Sequence, residues 1–235
     1  MQAVILAGGL GTRLLPLTEA IPKPMVQVAG LPYLEHQLRL LAKQDIRDVL
    51  LLTGYLGESI EEYFGDGSRL GLHVTYMCES SPLGTGGALR EARSLLHDAF
   101  LLIYGDSYLP IEYAEAVERL LSSGAEGVVV VYDNGLADTS VKNNIELDDD
   151  EYVSRYEKDS PDRLSFVEAG VLAFRRSVVS SMPAEGVVSL EKEIFPKLIE
   201  RRQLAALVTA QRFYDIGTPE RLSVIEEFFA AGHKP

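Results

Sequence analysis

At 235 residues, with 46% hydrophobic and 24% charged residues, the chain has the size and composition of one large α/β domain, which excludes an intrinsically disordered polymer. A net charge of −13 excludes a general nucleic-acid surface, which needs a basic face. No apolar run approaches the ~18 residues of a membrane span. The lone cysteine excludes an internal disulfide, and the four scattered histidines show no zinc-type spacing. Without a signal-peptide pattern the expected compartment is the cytoplasm.

The chain opens on an apolar run over residues 3–7, suited to a strand buried on both faces of a parallel sheet. From Pro32, Leu34, Leu38 and Leu41 recur at helical spacing, which leaves Glu35, Arg39 and Lys43 for solvent. Strands are expected over 49–53 and 74–78, with a short helix over 58–64 between them. Cys78 falls in the strand-like run 73–79 and reads as a core or edge thiol. A loop over 82–87 precedes a helix over 88–96, then a buried strand over 100–104, a helix over 114–121 and a strand over 127–132. This alternation predicts a Rossmann-like, mostly parallel mixed sheet sandwiched by helices, with right-handed crossovers.

The second half is less regular. Short strands are expected over 143–147, 153–156 and 167–174, around an acidic turn, Asp148-Asp149-Asp150-Glu151, that reads as a solvated hairpin tip. A helix over 190–199 is interrupted near Pro196, a strand follows over 204–208, and a closing helix spans 219–230. Thr218 is its expected N-cap, with Pro219 at the first helical position. The whole chain, 1–235, reads as one domain in two parts, 1–135 and 136–235.

The first strand ends in Gly8-Gly9-Leu10-Gly11-Thr12-Arg13, and Pro22-Lys23-Pro24 follows. Glycines let the backbone turn sharply and bring N–H groups to a phosphate, Thr12 adds a hydroxyl, and Arg13 adds a fork of donors suited to phosphate oxygens. The turn is neither a P-loop, which needs Gly-Lys-Ser/Thr, nor a dinucleotide fingerprint, because Leu14 stands where the third glycine would be. Alone, it is equally a tight turn. Asp106, after the strand 100–104 and Gly105, stands where open α/β sheets place ligands and where a carboxylate can hold Mg²⁺ against a phosphate. Asp215, before Gly217-Thr218-Pro219, is equally ordinary turn chemistry.

Taken together, Leu6-Ala7-Gly8-Gly9-Leu10-Gly11-Thr12-Arg13-Leu14 and Pro22-Lys23-Pro24-Met25 resemble the signature of the sugar-1-phosphate nucleotidyltransferases, and the resemblance extends to the last helix. It implies the nucleotide-diphospho-sugar transferase fold without a C-terminal β-helix domain. It also implies transfer of a nucleotidyl group from an NTP to a sugar 1-phosphate, with Mg²⁺ held by Asp106 and Asp215. Arg13 and Lys23 would be catalytic cations. Leu6, Ala7, Gly8, Gly9, Gly11, Thr12 and Gly105 would border the nucleotide, and the segment Glu79 to Gly87, through Glu79, Pro82, Gly84 and Thr85, would meet its base.

Glu157-Lys158 resembles the Glu-Lys-Pro element in which the lysine meets the sugar phosphate, although Asp159 replaces the proline. Asn144 and Glu168 match positions facing sugar hydroxyls. The chain looks closest to short bacterial enzymes for guanylyl transfer to heptose or hexose 1-phosphate. The implied partners are an NTP and a sugar 1-phosphate, with no nucleic acid and no membrane, and a homo-oligomer is left open. The rivals are cytidylyl transfer to phosphocholine, a non-catalytic nucleotide-sugar sensor and a glycosyltransferase. Glu79 adds a clue to the base: an ionised carboxylate only accepts, so it suits guanine N1–H and the 2-amino group better than a uracil or thymine edge.

Overall fold

The computed structural model describes residues 1–158, 160 and 162–232. Asp159, where the lysine element departs from its pattern, lies outside the described residues.

In chain order the first elements are β1 (Gln2–Leu6), β2 (Gln27–Val28), β3 (Leu31–Pro32), α1 (Tyr33–Lys43), β4 (Asp48–Thr53), α2 (Gly57–Phe64) and β5 (His73–Cys78). There follow α3 (Gly84–Glu91), β6 (Ala99–Tyr104), β7 (Ser107–Tyr108), α4 (Ala114–Ser123), β8 (Gly127–Tyr132), β9 (Ile145–Leu147), β10 (Val153–Tyr156), β11 (Val167–Arg175) and α5 (Arg176–Ser180). A π-helical turn (Leu190–Ile194), α6 (Phe195–Glu200), β12 (Leu204–Thr209), β13 (Tyr214–Asp215) and α7 (Pro219–Ala230) complete the chain.

Seven strands form a mixed sheet in the order β12-β8-β11-β6-β1-β4-β5. The pairs β1–β4, β4–β5 and β8–β12 are parallel, and β8–β11 is antiparallel. The mostly parallel α/β architecture expected from the sequence is therefore present. Its cause is visible in the burial of the strands: Val4, Ile5, Val49 to Leu52 and Val128 to Val131 are all inaccessible or nearly so. Each such side chain contributes about 1.5–3 kcal/mol on leaving water. Cys78 is an exposed thiol at the end of the edge strand β5.

The chain divides into two compact units. One comprises Met1–Pro82, Ile103–Tyr108 and Tyr214–Pro235; the other comprises Leu83–Leu102 and Leu109–Phe213. In the first, α2 packs on β5, and α7 packs on β13 and β2. His36 of α1 stacks on Phe229 of α7 with ring centroids 4.0 Å apart. In the second, α4 packs on β8, β11 and β12.

Several local expectations need correction. Glu35 does not face solvent: it is completely buried, and Arg39, Arg69 and Tyr63 all donate to its carboxylate. The helical spacing placed it outside because Tyr63 and Arg69, from α2 and the segment after it, cover that face only in the folded chain. Those three donors outweigh the cost of burial and hold the Glu35 carboxyl below the ordinary range.

The glycines of 84–87 are not loop but the first turn of α3, and the helix tightens to a 3-10 turn over Ala92–Leu95. The expected strand 143–147 is shortened to β9. The amide of Asn143 instead donates to the carbonyls of Leu164 and Ser165. The acidic turn is the tip joining β9 and β10, as expected, and Arg202 pairs with Asp148 and Asp150 there. The helix 190–199 is interrupted as expected: a π-helical turn precedes α6, with Pro196 in its first turn. The side chain of Thr218 caps α7 by accepting from Arg221 N.

Candidate functional site

In the first unit, β1 runs directly into the glycine turn. Gly11 has φ +64, and an added Cβ there would lie 3.0 Å from Thr18 and 3.1 Å from Lys23. The turn is therefore closed against its own following loop, with Thr18 Oγ1 donating to Gly11 O at 2.8 Å. Thr12–Leu14 then forms a 3-10 turn that leaves Arg13 exposed.

Lys23 sits at the first position of a second 3-10 turn and is almost completely buried. Its Nζ donates to Asp106 Oδ2 at 2.5 Å. The Gly105 before that aspartate permits close approach of the ends of β6 and β1. A Cβ there would meet Leu6 O at 2.5 Å, and Gly105 N donates to that same oxygen at 3.0 Å.

The two aspartates meet through a two-residue ladder. β7 and β13 are antiparallel, with Asp215 opposite Ser107 and Tyr214 opposite Tyr108, and Ile216 N donates to Asp106 O. Asp215 is fixed by Gly217 N on Oδ1 at 2.6 Å and by Arg221 on Oδ2 at 2.9 Å. A side chain at Gly217 would collide with that carboxylate, at 2.6 Å.

The electrostatics of the pair are asymmetric. Burial alone would raise both carboxyls, but Lys23 and then Arg13 hold Asp106 below the usual range. Asp215 is pushed up, first by burial and also by the charge of Asp106, against the pull of Arg221, Gly217 N–H and Lys23. Two hard oxygen ligands this near each other repel, and a divalent cation would relieve that repulsion. No cluster of three or more His, Cys, Asp or Glu suited to a metal occurs among the described residues. Two carboxylates with the remaining positions left to water and phosphate is how Mg²⁺ is commonly bound, so the residues present fit such an ion.

Glu79 follows β5, and its N donates to Thr53 O at 3.0 Å. Its carboxylate lies over the glycines: an added Cβ at Gly8 or Gly54 would stand 3.0 or 2.9 Å from Oε1. Glu79 is thereby brought to the start of the glycine turn, while Pro82, the last residue of this part of the unit, is exposed.

In the second unit, Gly84 (φ +76) starts α3 against a strap. Its Cβ would collide with Val188 O at 2.6 Å, and Gly86 N and Gly87 N donate to that carbonyl. The Thr85 hydroxyl donates to Glu191 Oε2 at 2.9 Å and accepts from Leu190 N. Asn144 and Glu168 come together, with Asn144 Oδ1 accepting from Glu168 N at 3.0 Å. Tyr156 donates to Glu168 Oε2 at 2.7 Å; burial first, and that carboxylate second, push the Tyr156 hydroxyl far above its ordinary range. Lys158 is exposed, 4.0 Å from Glu191 Oε1. Glu157 turns its carboxylate to Arg155, and its backbone N donates to Asn144 O.

The first unit thus collects Leu6 to Arg13, Lys23, Glu79, Gly105, Asp106 and Asp215. The second collects Gly84, Thr85, Asn144, Glu157, Lys158 and Glu168. Sequence reasoning missed Arg221, the cation on Asp215, whose only sequence signal is its place in the first turn after Thr218-Pro219. It also missed Tyr33 and Gln37, which read simply as part of a core helix.

The first unit thus brings a glycine turn closing a buried parallel strand together with a buried lysine and the two aspartates, in an α/β protein. The family model described as Nucleotidyl transferase matches residues 2–231, and the chain belongs to that family. It is 36% identical over 224 residues to a mannose-1-phosphate guanylyltransferase of Mycobacterium tuberculosis, across 94% of this chain but 62% of that protein. It is 29% identical over 220 residues to a D-glycero-alpha-D-manno-heptose 1-phosphate guanylyltransferase of Campylobacter jejuni, covering 94% of this chain and 96% of that one. A crystal structure of HddC from Yersinia pseudotuberculosis complexed with GMP-PN superposes with a TM-score of 0.83 at 27% identity, over 97% and 99% of the two chains. The chain thus spans under two thirds of the mannose-1-phosphate guanylyltransferase and nearly the whole of the heptose enzyme. No helix among the described residues is long and apolar enough to cross a membrane.

Proposed function

We propose that this protein transfers a guanylyl group from GTP to a heptose or hexose 1-phosphate, releasing pyrophosphate. The observation that carries the reading is the Lys23–Asp106 pair at the end of β6, joined by the β7–β13 ladder to Asp215.

In this reading an oxygen of the sugar phosphate attacks the α-phosphorus in line, and the bond to pyrophosphate breaks. A phosphate monoester dianion is already nucleophilic near neutral pH, so positioning and charge neutralisation are the main requirements. Backbone N–H groups of Gly8 to Thr12 receive the phosphates. Arg13, exposed on its 3-10 turn, takes charge accumulating on the pyrophosphate, and Lys23 meets the α-phosphate region. Asp106 and Asp215 would hold Mg²⁺, which when bound supplies further neutralisation of the phosphate oxygens.

The exposed Lys158 receives the acceptor's phosphate, and Asn144, Glu157 and Glu168 serve its hydroxyls. Thr85 and Gly84 border the base. Glu79, whose carboxylate lies over Gly8 and Gly54, accepts from guanine. The relatives named as guanylyltransferases support that choice of base. Location in the cytoplasm accords with substrates of this kind.

The test is phosphorus NMR of GTP with mannose 1-phosphate or a heptose 1-phosphate, enzyme and Mg²⁺. A new diphosphate diester and free pyrophosphate, formed in equal amounts, are expected. Hydrolysis to GDP and phosphate alone would refute transfer.

A further inference from the structure

One face of α1 carries two polar side chains that the reaction as described does not use. Tyr33 and Gln37 stand one helical turn apart, so they share a face. Both are completely or almost completely buried. Gln37 Nε2 donates to Tyr104 O at 2.9 Å and to Ser107 O at 2.6 Å. The Tyr33 hydroxyl is shared between Asp106 O at 3.2 Å and Tyr214 O at 3.4 Å.

Those four carbonyls have one property in common: three belong to Asp106 or residues within two of it, and the fourth precedes Asp215. The remainder of that helix face is apolar core, with Leu34, Leu38 and Leu41 fully buried. Packing alone would be met by leucine or methionine at positions 33 and 37. Gln37 is an awkward choice for packing, since its Oε1 is buried with no hydrogen-bond partner among the described residues. What the two side chains supply is a set of donors fixed on a rigid helix. They reach the backbone behind each aspartate, and a single hydroxyl spans the segments that carry the two.

We infer that Tyr33 and Gln37 are positioning residues that set the separation and orientation of the Asp106 and Asp215 carboxylates. Their donations run to backbone carbonyls, so they act through the backbone that carries each carboxylate. The inference rests on the reading above, in which those carboxylates hold a divalent cation. Removing the Tyr33 hydroxyl frees the β7 and β13 backbones to move apart. The cost then falls on cation affinity, and saturating cation restores the arrangement. Removing outer-shell partners of this kind typically weakens metal binding by about 10–100-fold.

The experiment is a Mn²⁺ titration of the full chain mixed with a non-hydrolysable GTP analogue, read from the EPR signal of free Mn²⁺ and corrected for nucleotide alone. Wild type, Tyr33→Phe, Gln37→Met and Asp106→Asn are compared, each with a thermal melt. Tyr33→Phe keeps the ring and carries the test alone if Gln37→Met does not fold. The expected result is a Mn²⁺ dissociation constant raised about tenfold in Tyr33→Phe, with turnover at saturating Mn²⁺ recovering toward wild type. If Asp106→Asn weakens Mn²⁺ binding but Tyr33→Phe titrates like wild type, the positioning role is overturned while the metal assignment stands. If Asp106→Asn itself titrates like wild type, the metal assignment fails and takes this inference with it.

Discussion

Replacing Lys23 by methionine keeps most of the side chain's volume and deletes its charge, which separates two consequences of the Lys23–Asp106 pair. At 2.5 Å and an effective dielectric of ~20, the direct attraction is about 6–7 kcal/mol. Desolvation offsets much of it, and breaking a buried pair costs ~3–5 kcal/mol net. The Asp106 side chain keeps 32% of its exposure, so water takes up part of the abandoned charge and about 2–3 kcal/mol is the reasonable loss. For a chain of this size that corresponds to a melting temperature lower by about 5–10 °C. Catalysis should suffer far more, with kcat reduced by about 10²–10³, as when one charge-stabilising donor is lost. The exposed Arg13 supplies the contrast: Arg13→Ala should lose activity while shifting stability by under ~0.5 kcal/mol. Differential scanning fluorimetry and continuous pyrophosphate release read both effects. A Lys23→Met protein that melts with wild type, or one that keeps wild-type kcat, would refute the reasoning.

Excess EDTA is expected to abolish turnover and Mg²⁺ to restore it, and Asp106→Asn or Asp215→Asn to lower kcat by on the order of 10²; full activity in chelator would contradict the metal assignment. Lys158→Ala should raise KM for the sugar phosphate well above its effect on KM for GTP, and an equal effect on both would show that Lys158 does not serve the acceptor. Glu35→Gln should destabilise the fold by about 1–2 kcal/mol at pH 7, because Arg39 and Arg69 lose their partner but are exposed enough for water to take up much of the charge. The folded Glu35 carboxyl lies below its ordinary value of 4.5, so its contribution is complete above that pH and is lost as pH falls through the folded value. Urea melts of wild type and Glu35→Gln should therefore begin to converge as pH falls below about 4.5, and a gap independent of pH would rule this out.

The parts of the fold that the sequence disclosed are those specified locally. Val49 to Leu52 and Val128 to Val131 are continuous β-branched and leucine runs, which a strand covered on both faces buries completely. The glycine turn, Lys23 and Gly105-Asp106 were found because each motif lies within a few residues of chain. What stayed hidden depends on segments meeting from far apart. Glu35 looked solvent-facing because nothing near it in sequence announces that Tyr63 and Arg69 will cover it. The β7–β13 ladder has two residues per strand, too few for any periodicity, yet it helps bring Asp215 to Asp106. The Tyr33–Gln37 pair escaped for the same reason, since its partners lie in other segments of the chain. Gly84–Gly87 read as loop because glycine is a poor helix former, whereas the carbonyl of Val188 collects two N–H groups there and holds the turn.

The most direct test is pyrophosphate release over a matrix of GTP, ATP, CTP, UTP and dTTP against heptose, mannose and glucose 1-phosphates and phosphocholine. Pyrophosphate should appear only when an NTP and a sugar 1-phosphate are both present. GTP should exceed UTP and dTTP by roughly one to two orders of magnitude in kcat/KM, the ratio set by about 1–3 kcal/mol for one unpaired buried partner at Glu79. Release without acceptor, release with phosphocholine alone, or no release anywhere in the matrix would contradict the proposal that this chain transfers a guanylyl group to a sugar 1-phosphate.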